Sequence, residues 1–135
     1  RVRRLGLDGH LICRTPRVRR VRALRRHTDR RARKCRLLVG WGGTFGALRA
    51  ATLEMRKVGV NVSHMHIRHI NPLPRNVEPT LRAFKRVIVA ELNLGQLRKY
   101  LQSLYVIELE GYTKIQGQPF RVSEVIGRVR NGEEA

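Results

Sequence analysis

Leu37-Leu38-Val39-Gly40-Trp41-Gly42-Gly43-Thr44-Phe45-Gly46-Ala47-Leu48 is the stretch that decides the fold. A short apolar run ends in glycine, as a buried parallel strand does, and a glycine-rich turn follows it. Thr44 is placed to cap a helix through Leu48, Ala51, Thr52 and Met55, whose spacing puts them on one face. Strand, tight turn and helix in that order are half of a βαβ unit.

The same grammar repeats downstream. Gly59 stops the first helix, and Val60 to Ile70 is predicted as a strand. Asn71-Pro72-Leu73-Pro74 breaks the chain. A helix with Val77, Leu81 and Phe84 on one face follows, then a strand over Arg86–Ala90. Leu94, Leu97, Leu101 and Leu104 are spaced for one face of a third helix. Tyr105–Leu109 is predicted as a fourth strand and Val122–Val129 as a closing helix. Strands alternating with helices imply a parallel sheet covered on both faces, here one α/β domain over residues 37–130 with a tail at 131–135.

Residues 1–36 obey no such grammar. They hold fourteen arginines and a lysine against two acids, Asp8 and Asp29. The remaining 99 residues hold 14 Lys/Arg against eight acids, so the formal charge of +19 lies mostly in the leader. Like charges three and four residues apart repel by about 0.2–0.5 kcal/mol per pair, so a leader that is poorly ordered alone is expected. An arm this basic would bind polyanions with strong salt dependence, which makes a nucleic-acid-binding module the alternative function. The leader has no aromatic residue on which a base could stack, and nucleic acid is therefore the weaker reading.

No apolar stretch approaches the roughly 18–20 residues that cross a bilayer, and no apolar core follows the N-terminal arginines as in a signal peptide. A cytoplasmic protein without a membrane partner is expected. The sequence begins at Arg1, which suggests a fragment or a processed product. Cys13 and Cys35 form no CxxC pair and cannot by themselves hold a four-cysteine cluster; one disulfide between them is arithmetically open.

Several motifs bear on function. Gly40-Trp41-Gly42-Gly43-Thr44-Phe45 fails the dinucleotide fingerprint, because Phe45 stands where the third glycine belongs, and a tight strand-to-helix turn is preferred to a phosphate site. His64 and His66 share one strand face, yet no Asp or Cys ligand stands near them, so hydrogen-bonding histidines are preferred to a metal pair. Arg68 and the Asn71–Pro74 turn follow at the strand's carboxyl end, where open α/β sheets place ligands. Glu91-Leu92-Asn93-Leu94-Gly95-Gln96 fits two readings equally. It is either a helix entry, with Asn93 as cap and Gln96 completing a capping box, or a set of polar groups aimed into a crevice or interface. The loop Gln116-Gly117-Gln118-Pro119-Phe120 is likewise either recognition or turn. No nucleophile elbow, HExxH or paired-carboxylate arrangement is present.

Taken in order, LVGWGGTFGALRAAT (38–52), VSHMHIRHINPLPRNV (62–77), FKRVIVAELNLGQLRKYLQ (84–102) and YTKIQGQPFRVSEVI (112–126) resemble the last domain of the 2-oxoacid:ferredoxin oxidoreductase α subunit. The resemblance covers residues 37–128 and is closest to the 2-oxoglutarate type. It implies a transketolase C-terminal-like, three-layer α/β/α domain around a mostly parallel, mixed sheet. It also implies oxidative decarboxylation of a 2-oxoacid to an acyl-CoA by the whole complex, with electrons passed to ferredoxin. Thiamine diphosphate, Mg and an iron–sulfur cluster would lie on a β subunit and on other α-subunit domains, and this chain alone would bind no cofactor or metal and be inactive. His66, Arg68, Asn71, Pro72 and Pro74 match the family's strand-and-turn motif. Glu91, Asn93, Gly95 and Gln96 match its acidic–amide turn, and Gln116, Gly117, Gln118, Pro119 and Phe120 its closing loop. The resemblance makes these residues an interface or active-site wall and assigns none a catalytic step. The leader departs from the family's mixed-charge linker, and the sudden change at Leu37 raises the hypothesis that it is a frame-shifted reading of that linker.

Overall fold

The computed structural model describes residues 10–13 and 36–131. They form five strands: β1 (His10–Cys13), β2 (Arg36–Trp41), β3 (Val62–Ile67), β4 (Arg86–Glu91) and β5 (Glu110–Thr113). A 3₁₀ turn (Gly42–Thr44) leads into α1 (Phe45–Lys57), followed later by α2 (Val77–Arg82), α3 (Gln96–Tyr105) and α4 (Val122–Arg130). The sheet order is β1-β3-β2-β4-β5, and every pairing is parallel. The sheet is thus fully parallel among the described residues, with no antiparallel strand to make it mixed.

Both faces of the central strands are apolar, and successive residues feed opposite cores. Leu37, Val39, Met65, Ile67, Val87 and Val89 pack with Val77, Leu81, Leu97 and Leu101 of α2 and α3. Leu38, Val62, Ile88 and Ala90 pack with Leu48, Met55, Val125 and Val129 of α1 and α4. The result is three layers, α1 and α4 on one face of the sheet and α2 and α3 on the other, as the sequence implies.

Three boundaries differ from the sequence reading. The second strand is confined to Val62–Ile67, because the chain bends away at Arg68. Tyr105–Leu109 is not a strand: α3 runs through Tyr105, Val106 closes it in a left-handed conformation (φ 53°), and the strand begins at Glu110. Tyr105, Ile107 and Leu109 spend their apolar surface on the α2/α3 core instead. In α3 the buried row is Leu97 and Leu101 with Tyr105 packed beside them, in steps of four, which leaves Leu104 half exposed. Leu94 precedes the helix and is 68% exposed.

The leader also supplies a strand, β1, that no periodicity indicated; its four residues pair in parallel with His64–Ile67. Cys35, the tail beyond Asn131 and the run of residues 14–35 lie outside the described residues, and so do the expectations of poor order and a disulfide.

Candidate functional site

The switch point of this sheet lies between β2 and β4. The helix after β2 packs on one face and the helix after β4 on the other, so the two loops part at the carboxyl edge and leave a crevice. That crevice measures about 240 Å³ and is lined by Trp41, Gly42, Gly43, Thr44, Leu92 and Asn93. Gly42 sits at φ 59°, which an L side chain rarely adopts, and this lets the chain turn sharply out of β2. Thr44 stands at the N-cap of α1, as expected, but its side chain makes no capping bond. Its hydroxyl donates to the Trp41 carbonyl at 3.0 Å and closes the turn.

Glu91 stands behind the opposite wall, which Leu92 and Asn93 line. It ends β4, is fully buried, and its carboxylate accepts three hydrogen bonds. The Trp41 indole N–H donates at 3.2 Å, the Leu97 amide at 2.7 Å and the Arg98 amide at 3.1 Å. Asn93 Oδ1 accepts from the amides of Gly95 (2.8 Å) and Gln96 (3.2 Å), and Lys99 N–H reaches the Gly95 carbonyl at 3.1 Å. The four amides that a helix leaves unpaired at its start are therefore all satisfied in α3. Asn93 makes the expected turn, but its partner in capping is the Glu91 carboxylate, two residues earlier, and not the Gln96 amide, which is exposed. Gly95 takes φ 83° at the cap. An anion at this helix start would have to displace a side chain already in place.

The third group is the loop after β5. Lys114 is buried; its Nζ donates to both Glu124 oxygens (3.0 and 2.8 Å) and to the Pro119 carbonyl (3.1 Å). Glu124 also accepts from the Arg121 amide at the start of α4. Bonding to Lys114 holds the Glu124 carboxyl below its ordinary pKa. Phe120 is buried against Tyr112, ring centroids 4.9 Å apart. Between these anchors Gln116, Gly117, Gln118 and Pro119 project into solvent, with Gly117 at φ 62°. The Lys114 amide donates to the Glu91 carbonyl, which ties this loop to the acidic turn.

The β3 motif is placed apart. His66 is buried at the strand's end, edge-on to Phe45 at 5.1 Å, with His64 at 6.2 Å. Burial, with the Arg68 charge in second place, lowers the His66 pKa. Arg68, Asn71 and Pro72 are exposed, while Pro74 is buried and its carbonyl accepts the Val77 amide that opens α2. The Asn71–Pro72 peptide is cis. All three motifs therefore meet the carboxyl edge. The acidic turn and the closing loop are bonded to each other through the Lys114 amide and the Glu91 carbonyl. Trp41 and Lys114, the two residues that fasten the site, had no assigned role in the sequence reading. The one visible signal was an indole and an ammonium at strand ends, where buried polar atoms require partners.

Three comparisons bear on this arrangement. No protein-family model matches the chain. The chain is 38% identical over 89 residues to the 2-oxoglutarate oxidoreductase subunit KorA of Mycobacterium tuberculosis, covering 66% of the chain and 14% of that protein. The chain belongs to the 2-oxoacid:ferredoxin oxidoreductase α-subunit family. It is 36% identical over 107 residues to subunit alpha of 2-oxoacid:ferredoxin oxidoreductase 1 of Aeropyrum pernix, covering 73% of the chain and 17% of the relative. Its fold matches the 2-oxoglutarate:ferredoxin oxidoreductase of Magnetococcus marinus, solved with 2-oxoglutarate, coenzyme A and succinyl-CoA bound, with a TM-score of 0.69 and 27% identity over 74% of the chain and 18% of that chain. This chain thus spans roughly one sixth of the family members it matches, which are parts of an oxidoreductase complex.

No set of three His, Cys, Asp or Glu side chains among the described residues could hold a metal ion. The start of α3 is filled by Glu91 and Asn93. No chemical step through thiamine diphosphate or a cluster is assigned to these residues. No described helix is long and apolar enough to cross a membrane.

Proposed function

We propose that this chain supplies the interface domain of the α subunit of a cytoplasmic 2-oxoacid:ferredoxin oxidoreductase, acting on 2-oxoglutarate. Residues 37–130 form that domain, and its carboxyl edge docks against the β subunit. Thiamine diphosphate, Mg and the iron–sulfur cluster are held by the β subunit and by other α-subunit domains, and ferredoxin takes the electrons. The observation that carries the reading is the way the edge spends its polar groups. Glu91, Asn93, Lys114 and Glu124 bond internally and fix three loops, while Leu94 (68% exposed), Ile115 (61%) and the Gln116 and Gln118 amides face outward. Apolar residues ringed by neutral amides on a rigid frame suit a protein interface better than proton transfer.

Co-expression of the α subunit carrying this domain with its β subunit, followed by oxoacid- and CoA-dependent reduction of ferredoxin, tests the reading. Copurification with activity highest on 2-oxoglutarate is expected; failure to associate in mild salt would overturn it. Within residues 1–36, His10–Cys13 and Arg36 belong to the sheet, and no docking role is proposed for the rest of the leader. If the leader is a shifted frame, a single-base insertion or deletion in the source DNA restores a mixed-charge linker.

A further inference from the structure

β5 is an edge strand, and its outer rim is built to accept another strand. The Lys114 amide donates inward to Glu91 of β4, which fixes the phase of the ladder. Backbone N–H and C=O groups alternate sides along a strand, so Tyr112 faces β4 while Gly111 and Thr113 point outward. The Gly111 carbonyl confirms that direction, because it accepts from Arg128 of α4 at 3.4 Å. A Cβ on Gly111 would come 2.7 Å from Arg98 Nε, so the missing side chain is what lets the α3 arginine lie against the strand.

Two guanidinium groups, one from each helical layer, thus converge on a single edge residue. The Nε atoms of both are buried without a hydrogen-bond partner. Among the described residues the Arg98 guanidinium donates to the neutral Gln102 side chain, and Arg128 lies 3.9 Å from Glu110, which is itself bonded to Arg86. Outward N–H groups at Gly111 and Thr113, flanked by under-neutralised arginines, are complementary to an extended segment carrying carboxylates.

Resting on the family reading above, we infer that an extended acidic segment of the same α subunit adds to the sheet along β5. The commitment to the same subunit follows from length: the relatives extend far beyond the portion matched here, since the chain covers 14–17% of them. Thr113 is exposed, and an incoming strand has to displace only the long 3.4 Å contact that Arg128 makes to the Gly111 carbonyl among the described residues.

The test uses the complete oxidoreductase. Amide exchange at Gly111 and Thr113 is expected to be slowed by about 100-fold or more relative to unstructured peptide, while Gly117 exchanges freely. A photoactivatable cross-linker on Thr113→Cys is expected to capture an α-subunit peptide containing Asp or Glu. Thr113→Pro removes only an outward N–H and should abolish the protection at Gly111, whereas Thr113→Ala should keep it. Unprotected amides, or capture of the β subunit, of a second copy or of nothing, would overturn the inference. Subunit association and oxoacid-dependent activity are read separately, so a failed edge contact is distinguishable from a failed family reading.

Discussion

Replacing Glu91 should damage the domain out of proportion to one surface-edge side chain. The carboxylate accepts from the Leu97 and Arg98 amides and from the Trp41 indole, and it is wholly buried. Glu91→Ala leaves three donors without acceptors. The Leu97 bond is buried and the other two are partly so, which lets water repair them in part. At about 1–3 kcal/mol for each stranded donor, the total is about 3–5 kcal/mol, against a whole-domain stability of roughly 5–15 kcal/mol. Glu91→Gln should cost less, about 1.5–3 kcal/mol. One oxygen can still serve Trp41 and Leu97, but the new NH₂ faces the Arg98 N–H. Urea unfolding of the chain, followed by far-UV circular dichroism to avoid the altered Trp41 signal, gives both numbers. Exchange at the Leu97 and Arg98 amides should accelerate in the alanine variant. A cost below about 1 kcal/mol for Glu91→Ala would refute the clasp, because three repaired donors would mean water reaches them all.

Gly40→Ala should cost about 2–3 kcal/mol by urea unfolding, since its Cβ would collide with Leu48 Cδ1 and Thr44 Oγ1 in a packed interior. Val106→Gly should instead stabilise by about 0.5–1 kcal/mol, because a β-branched residue at φ 53° is strained and its 87% exposure means little packing is lost. The His66 pKa is lowered in the fold, so the unfolded chain takes up a proton first. Stability should therefore fall as pH drops from about 6.5 toward the native value and level off below it, and His66→Gln should remove that part of the slope in unfolding curves taken at several pH values. Glu110 and Glu124, whose pKa values are also lowered, should add a separate loss only in the carboxylate range.

The central architecture was legible because β2, β3 and β4 are buried on both faces. Leu37–Val39 and Val87–Ala90 are continuous apolar runs, and such runs have few alternatives. The edges were not. Glu110-Gly111-Tyr112-Thr113 is half exposed and carries no period, whereas Tyr105–Leu109 imitates a strand while packing on a core beside a helix end. At the site, the positions of the motifs along the carboxyl edge followed from chain order. The partners did not: Glu91 reaches fifty residues back to Trp41, and Lys114 reaches ten residues forward to Glu124. Such bonds depend on tertiary placement, which no local spacing encodes. Asn93 illustrates the boundary, since its turn was readable and the identity of the capping carboxylate was not.

The claim that this edge is a subunit interface stands or falls on one binding measurement. Leu94→Asp and Ile115→Asp, introduced together into the α subunit, place two charges on largely exposed apolar positions. The affinity of that subunit for β, measured by titration and checked by size-exclusion chromatography, should fall by at least about 100-fold, the cost of desolvating two charges in an interface core. A variant that folds as the parent does and binds β with unchanged affinity would contradict the interface assignment.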